Sequence, residues 1–127
     1  MSKPNFENFE KCIAASNDCV AVCNACNKAC IDNPRVKELL RCIFLNRDCA
    51  LFCNSAALLL QHGSEFLPPV CTLCAGACEL CAEESARFDL PECQKAAEAC
   101  RRCAAECREA LRVIDAWLQS GEGLEPK

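Results

Sequence analysis

Apolar and thiol positions along this chain recur at intervals of three, four and seven residues, and the cysteines display the pattern most clearly. A first run holds Cys12, Cys19, Cys23, Cys26 and Cys30, and a second holds Cys42, Cys49 and Cys53. A third holds Cys71, Cys74, Cys78 and Cys81, and a fourth Cys93, Cys100, Cys103 and Cys107. Every step inside a run is three, four or seven residues. Those intervals bring a side chain back to one face of an α-helix. Four runs therefore predict four helices, each turning a stripe of thiols toward the positions that a bundle uses for its core.

Prolines punctuate the same pattern. Pro4, Pro34, Pro68, Pro69 and Pro91 each precede a cysteine-bearing run. Proline fits a first helical turn, where its missing N–H would be unpaired anyway. Asn33 and Asp89 are the candidate caps of the second and fourth helices. Gly63, after Gln61-His62, is the candidate left-handed stop of the second. The predicted helices cover residues 5–31, 34–62, 67–87 and 91–119 of a single domain, 1–119. The segment 120–127, with two glycines and a proline, is expected to fray. Short connections make consecutive helices antiparallel, up-down-up-down. The expected fold class is all-α, an antiparallel four-helix bundle with a cysteine-lined core.

That topology gathers Phe6, Phe9, Leu58, Leu59, Leu60, Phe66, Leu67, Leu111, Ile114, Trp117 and Leu118 at one end as a hydrocarbon plug. Cys26, Cys30, Cys42, Cys81 and Cys93 lie at the other end, so the bundle is polarised. The second helix also carries Leu40, Phe44, Leu51 and Leu58 on a side away from its cysteines. A helix apolar nearly all round is usually buried all round, which predicts a homo-oligomer packed through that helix.

Composition narrows the function. A chain of 127 residues can bury a core without disulfides. A formal charge of −4 with no polybasic run gives no basis for nucleic-acid binding. Uninterrupted apolar runs fall short of the roughly 18 residues of a membrane span. The opening MSKPNFENFEKC has no apolar signal segment, so the expected location is the cytoplasm, where thiols stay reduced.

Sixteen cysteines are too many for packing alone, because alanine or valine would pack as well without the oxidation hazard. Metal binding explains them better. Cys19/Cys23, Cys26/Cys30, Cys49/Cys53, Cys74/Cys78 and Cys103/Cys107 are C-x3-C pairs, and Cys23/Cys26, Cys71/Cys74, Cys78/Cys81 and Cys100/Cys103 are C-x2-C pairs. On a helix their Cβ atoms lie about 5–6 Å apart, so one pair could clasp one ion. Thiolates select Cu(I), zinc or iron–sulfur clusters. Zinc in four-cysteine sites would use every ligand with only about four ions and leave about eight excess negative charges inside. One Cu(I) per thiolate would give a neutral filling of about sixteen ions. Iron–sulfur signatures wrap loops round a cluster instead of striping helices. The remaining alternatives are a zinc-stabilised structural bundle and a thiol redox buffer. No acid–base set accompanies the thiols, so an enzyme is not expected.

Helical C-x2-C and C-x3-C pairs recurring through residues 5–119 resemble the copper storage proteins. The resemblance implies a tetrameric four-helix bundle that holds many Cu(I) ions along its core, with all sixteen cysteines as candidate ligands. It also implies copper storage, buffering or detoxification, and places the chain with the cytosolic branch. Exported members carry methionine and histidine near the bundle mouth, and this chain has no such methionines. Copper would arrive at the thiol-rich end from a copper chaperone or small thiol, and the empty bundle would fold with its thiols protonated. His62, the only histidine, is read as a helix-end residue favourable to the dipole. Asn46 lies on the inward side between Cys42 and Cys49, where it would bond a thiolate or backbone, or face a subunit seam. Gly76 is read as a point of close helix approach.

Overall fold

The computed structural model describes residues 2–121. Four helices follow in order: α1 (Phe6–Ile31), α2 (Leu40–Gln61), α3 (Leu67–Ser85) and α4 (Pro91–Gln119). A short 3-10 turn, Val36–Leu39, leads into α2. The helices form a ring in which α1 packs on α2 and α4, and α3 packs on the same two. This is the antiparallel up-down-up-down bundle expected from the thiol periodicity. The part of the 120–127 segment beyond Gly121 lies outside the described residues.

Local chemistry sets each boundary. α1 opens with a reciprocal cap: the Asn5 side chain accepts from the Glu7 N–H at 3.0 Å, and the Asn8 side chain accepts from the Asn5 N–H at 2.9 Å. α2 starts later than residue 34 because Asn33 takes the Arg35 N–H at 2.8 Å, while Val36 N–H returns to the Asn33 carbonyl. That closes a turn with i→i+3 bonds, and the α-helical ladder begins only at Leu40. Gly63, at φ 63°, ends α2 as expected, with the Ser64 N–H reaching back to the Leu59 carbonyl. Asp89 does not cap α4. The Gln94 side chain instead ties the α3–α4 connection by donating to the Ala86 and Phe88 carbonyls.

The hydrocarbon end is smaller than the sequence suggests. Phe9, Leu60, Leu67 and Ile114 are buried there, whereas Phe6, Leu58, Phe66 and Leu118 are exposed. Phe6 is the first residue of α1 and Phe66 the residue just before α3, so both stand at the end of the bundle. Gly76 is on the surface, and a Cβ there would meet nothing within 4 Å, so it serves no close approach inside this chain.

Within Val36–Gln61 an 18-residue window reaches a mean hydropathy of 1.3, enough by length and composition for a membrane helix. Counting uninterrupted apolar runs hid this, because single polar residues break them. In the bundle, one face of α2 packs Cys42, Asn46, Cys49 and Cys53 into the interior. The opposite side leaves Leu40, Phe44, Leu51 and Leu58 exposed.

Candidate metal centre

All sixteen cysteines are free and buried inside the bundle. Each helix supplies its stripe because cysteine, alanine and serine are small enough to let the four axes draw together around sulfur. Four sets of four sulfurs lie mutually within 4.8 Å. Nearest the α1–α2 and α3–α4 connections, Cys26, Cys30, Cys42 and Cys93 form an outer tetrad, with Sγ–Sγ distances of 3.9 Å for Cys26–Cys30 and 3.6 Å for Cys26–Cys93. Further in are Cys19/Cys23/Cys49/Cys100, Cys19/Cys49/Cys53/Cys78 and Cys53/Cys74/Cys78/Cys103.

The three inner tetrads are not separate. Cys19 and Cys49 belong to the first two, and Cys53 and Cys78 to the last two. Sulfur contacts are continuous along them, with Cys19–Cys49 at 3.8 Å, Cys49–Cys78 at 3.5 Å, Cys53–Cys78 at 3.6 Å and Cys53–Cys103 at 3.7 Å. Cys12 and Cys107 add a pair at 3.8 Å beyond them. Cys71 is buried at that end and Cys81 at the other, and neither falls within a tetrad.

The intrahelical pairs Cys19/Cys23, Cys26/Cys30 and Cys49/Cys53 do meet, at 3.8, 3.9 and 3.8 Å. Yet every tetrad draws on three helices, so a site is a cross-helix object and not the clasp of one helix. Three sulfurs about 3.8 Å apart leave a central point about 2.2 Å from each, close to a metal–thiolate bond of ~2.3 Å. The donor set thus fits a soft ion.

Non-sulfur groups also enter the column. Ser16, Asn46 and Ser85 are each 0 % exposed. Ser16 Oγ lies 3.5 Å from Cys103 Sγ, and Ser85 Oγ lies 3.5 Å from Cys42 Sγ. Asn46 donates from Nδ2 to Cys42 Sγ at 3.6 Å and accepts the Cys81 thiol at 3.0 Å. Asn46 was legible in advance as an inward residue, while Ser16 and Ser85 were missed. Their signal is the same spacing, since Ser16 stands four after Cys12 and three before Cys19, and Ser85 stands four after Cys81. His62 is exposed at the C-terminal cap of α2, away from the sulfurs.

Thiol acidity follows position. Burial pushes Cys71 and Cys93 up to about 12. Cys42 is lowered to about 6, chiefly by a hydrogen bond from Cys26, with Ser85 helping against the opposing cost of burial. Within the inner set, hydrogen bonding to Cys100 first of all lowers Cys19 and raises Cys23.

The outer tetrad is roofed by apolar groups: Leu39 is buried with it, and Val36, Phe88 and Leu90 pack over it. Beside that roof is a cleft of about 140 Å³ between Asn33 and Arg35 on one connection and Asp89, Leu90 and Pro91 on the other.

A four-helix bundle filled with a connected array of soft sulfur donors is by class a multinuclear metal–thiolate protein. The chain belongs to the copper storage protein family, whose profile matches residues 5–112. Solved structures are similar in the same sense. A Cu(I)-bound copper storage protein, BsCsp3, is 40% identical, with 78% of this chain and 93% of that one covered at a TM-score of 0.75. The apo form of copper storage protein 3 from Bacillus subtilis is 39% identical, covering 80% and 97% at 0.74. A cytosolic copper storage protein from Streptomyces lividans, loaded with five coppers, is 34% identical, covering 84% and 94% at 0.81. No curated protein sequence matches the chain.

Proposed function

We propose that this chain stores Cu(I), binding many ions per chain through its sixteen cysteines, and has no catalytic role. The observation that carries this reading is the sharing of sulfurs between adjacent tetrads. Closed zinc sites need four ligands each, and the inner tetrads cannot all be filled that way because they hold Cys19, Cys49, Cys53 and Cys78 in common. Cu(I) needs fewer sulfurs, tolerates bridging thiolates, and neutralises one thiolate per ion. Copper-loaded relatives support the same choice of metal.

Before metal arrives the core is a set of hydrogen-bonded neutral and partly ionised thiols, which pack as small apolar groups. The bundle therefore folds empty, unlike a zinc finger. Copper reaches the outer tetrad through the cleft at Asn33, Arg35 and Asp89, handed over by a chaperone or small thiol. We place the chain in the cytoplasm, in line with sixteen free thiols and with the Streptomyces relative described as cytosolic. We assign it a homo-oligomeric assembly, a tetramer, through the exposed apolar side of α2.

An anaerobic Cu(I) titration of the reduced chain against a tight chromogenic chelator tests the reading, with zinc in parallel. Uptake of more than about eight ions per chain, beyond what closed four-sulfur sites could hold, is the expected result. Saturation at about four ions with zinc preferred would assign the chain to structural zinc. Binding of neither metal would leave thiol redox chemistry.

A further inference from the structure

Asn46 and Ser85 stand between two groups of sulfurs. Cys42, on the outer side, contacts both, at 3.6 Å from Asn46 Nδ2 and 3.5 Å from Ser85 Oγ. Cys81, on the inner side, also contacts both, at 3.0 Å from Asn46 Oδ1 and 3.9 Å from Ser85 Oγ. The four side chains close a ring in which the two sulfurs are joined through the Asn46 amide on one route and the Ser85 hydroxyl oxygen on the other. Outward of it, Cys42 belongs with Cys26, Cys30 and Cys93. Inward of it, Cys81 stands one turn along α3 from Cys78, which belongs to two of the inner tetrads. Among the described residues no tetrad takes sulfurs from both sides.

The ring is held in place from outside the column. Glu84, the residue before Ser85, is buried and receives Arg41 Nη1 at 3.0 Å and Arg87 Nη1 at 2.8 Å. Arg41 precedes Cys42, so this ion pair fixes α2 against α3 at the level of the ring. Amide and hydroxyl groups are poor partners for a soft cation. An ion moving from sulfur to sulfur between the outer tetrad and the inner ones meets amide and hydroxyl groups at this level.

We propose that Asn46 and Ser85 divide the copper store into an outer four-thiol site that exchanges ions readily and an inner twelve-cysteine reserve, with Asn46 the positioning residue that keeps them apart. The proposal rests on the Cu(I)-storage reading above. Passage between compartments is ligand exchange at constant copper valence. A Cu–S bond to Cys42 breaks as one to Cys81 forms, and the Cys81 proton passes to the Cys42 sulfur, with the Ser85 hydroxyl touching both.

The test is removal of Cu(I) from the loaded, full-length chain by excess chromogenic chelator, followed in time. Two phases are expected. Cys26→Ser/Cys93→Ser should lose the fast amplitude. Asn46→Cys, which completes the sulfur column, should merge the phases into one, and Ser85→Cys should act in the same direction. A mere packing role for Asn46 would lower the thermal midpoint of the metal-free variant and leave both phases intact. A single phase in the unmodified chain overturns the proposal, as does a fast amplitude that survives Cys26→Ser/Cys93→Ser. So do two unchanged phases in a folded Asn46→Cys or Ser85→Cys chain. If neither of those variants folds, the unmodified chain and the Cys26→Ser/Cys93→Ser variant still decide. Failure to take up copper at all would instead sink the storage reading.

Discussion

At the scale of single residues, Glu84 carries the clearest energetic consequence. Its carboxylate is 3 % exposed, whereas the partners Arg41 and Arg87 are 59 % and 66 % exposed. The cost of breaking this group therefore depends on which side is removed. Glu84→Gln leaves two guanidinium groups that water can solvate, and should cost about 1–2 kcal/mol of metal-free stability. Arg41→Ala/Arg87→Ala leaves a buried carboxylate without a partner, and should cost about 3–5 kcal/mol. Either arginine alone should be a mild loss, because the other remains on the same oxygen. Urea unfolding midpoints of the reduced, metal-free variants check this order.

At the scale of elements, the thiol stripes were legible because helix geometry fixes which intervals share a face. Cys19 and Cys23 must be neighbours whatever surrounds them. Cross-helix partners were not legible, because rotation and stagger between helices come from packing along the whole length. Nothing in the sequence says that Cys49 meets Cys78 at 3.5 Å and Cys100 at 3.7 Å. The seven-residue steps hid inward positions in the same way: Ser16 and Asn46 fill the vacant turn of the stripe on α1 and α2. The start of α2 was misplaced because Asn33-Pro34 serves a helix cap and a tight turn equally well. These buried stripes also make the metal-free bundle sensitive to pH. Cys71 on α3 and Cys93 on α4 rise from 9.0 to about 12 on folding. A raised thiol contributes stability that is complete below pH 9.0 and is lost as pH climbs toward about 12. Cys42, depressed to about 6, acts in the opposite sense: its contribution is present above 9.0 and is lost as pH falls through about 6. Thermal midpoints of the reduced apo protein should therefore fall on the alkaline side, and Cys71→Ala should flatten that fall. Copper-loaded protein should show less of it, since bound thiolates have no proton to lose.

At the scale of the whole molecule, storage and assembly are separable. Every sulfur in the four tetrads comes from one chain, so capacity per chain does not need a neighbour. Assembly is instead suggested by the outer side of α2, where Phe44 is 55 % and Leu51 is 68 % exposed, flanked by Leu40 and Leu58. Fully burying each such side chain is worth about 1.5–3 kcal/mol, and a stripe of four is more than a solitary bundle has reason to leave in water. Phe44→Glu/Leu51→Glu places two charges in the middle of that stripe while touching no thiol. In light scattering after size exclusion, the unmodified chain should run as an oligomer and the variant as a smaller species. Its helical circular dichroism and its Cu(I) ions bound per chain should be unchanged. An unmodified chain that runs as a monomer would rule out subunit packing as the reason for the apolar stripe. A variant that dissociates and also loses copper capacity would mean that subunit packing holds α2, and with it Cys42, Cys49 and Cys53, in register with the other three helices.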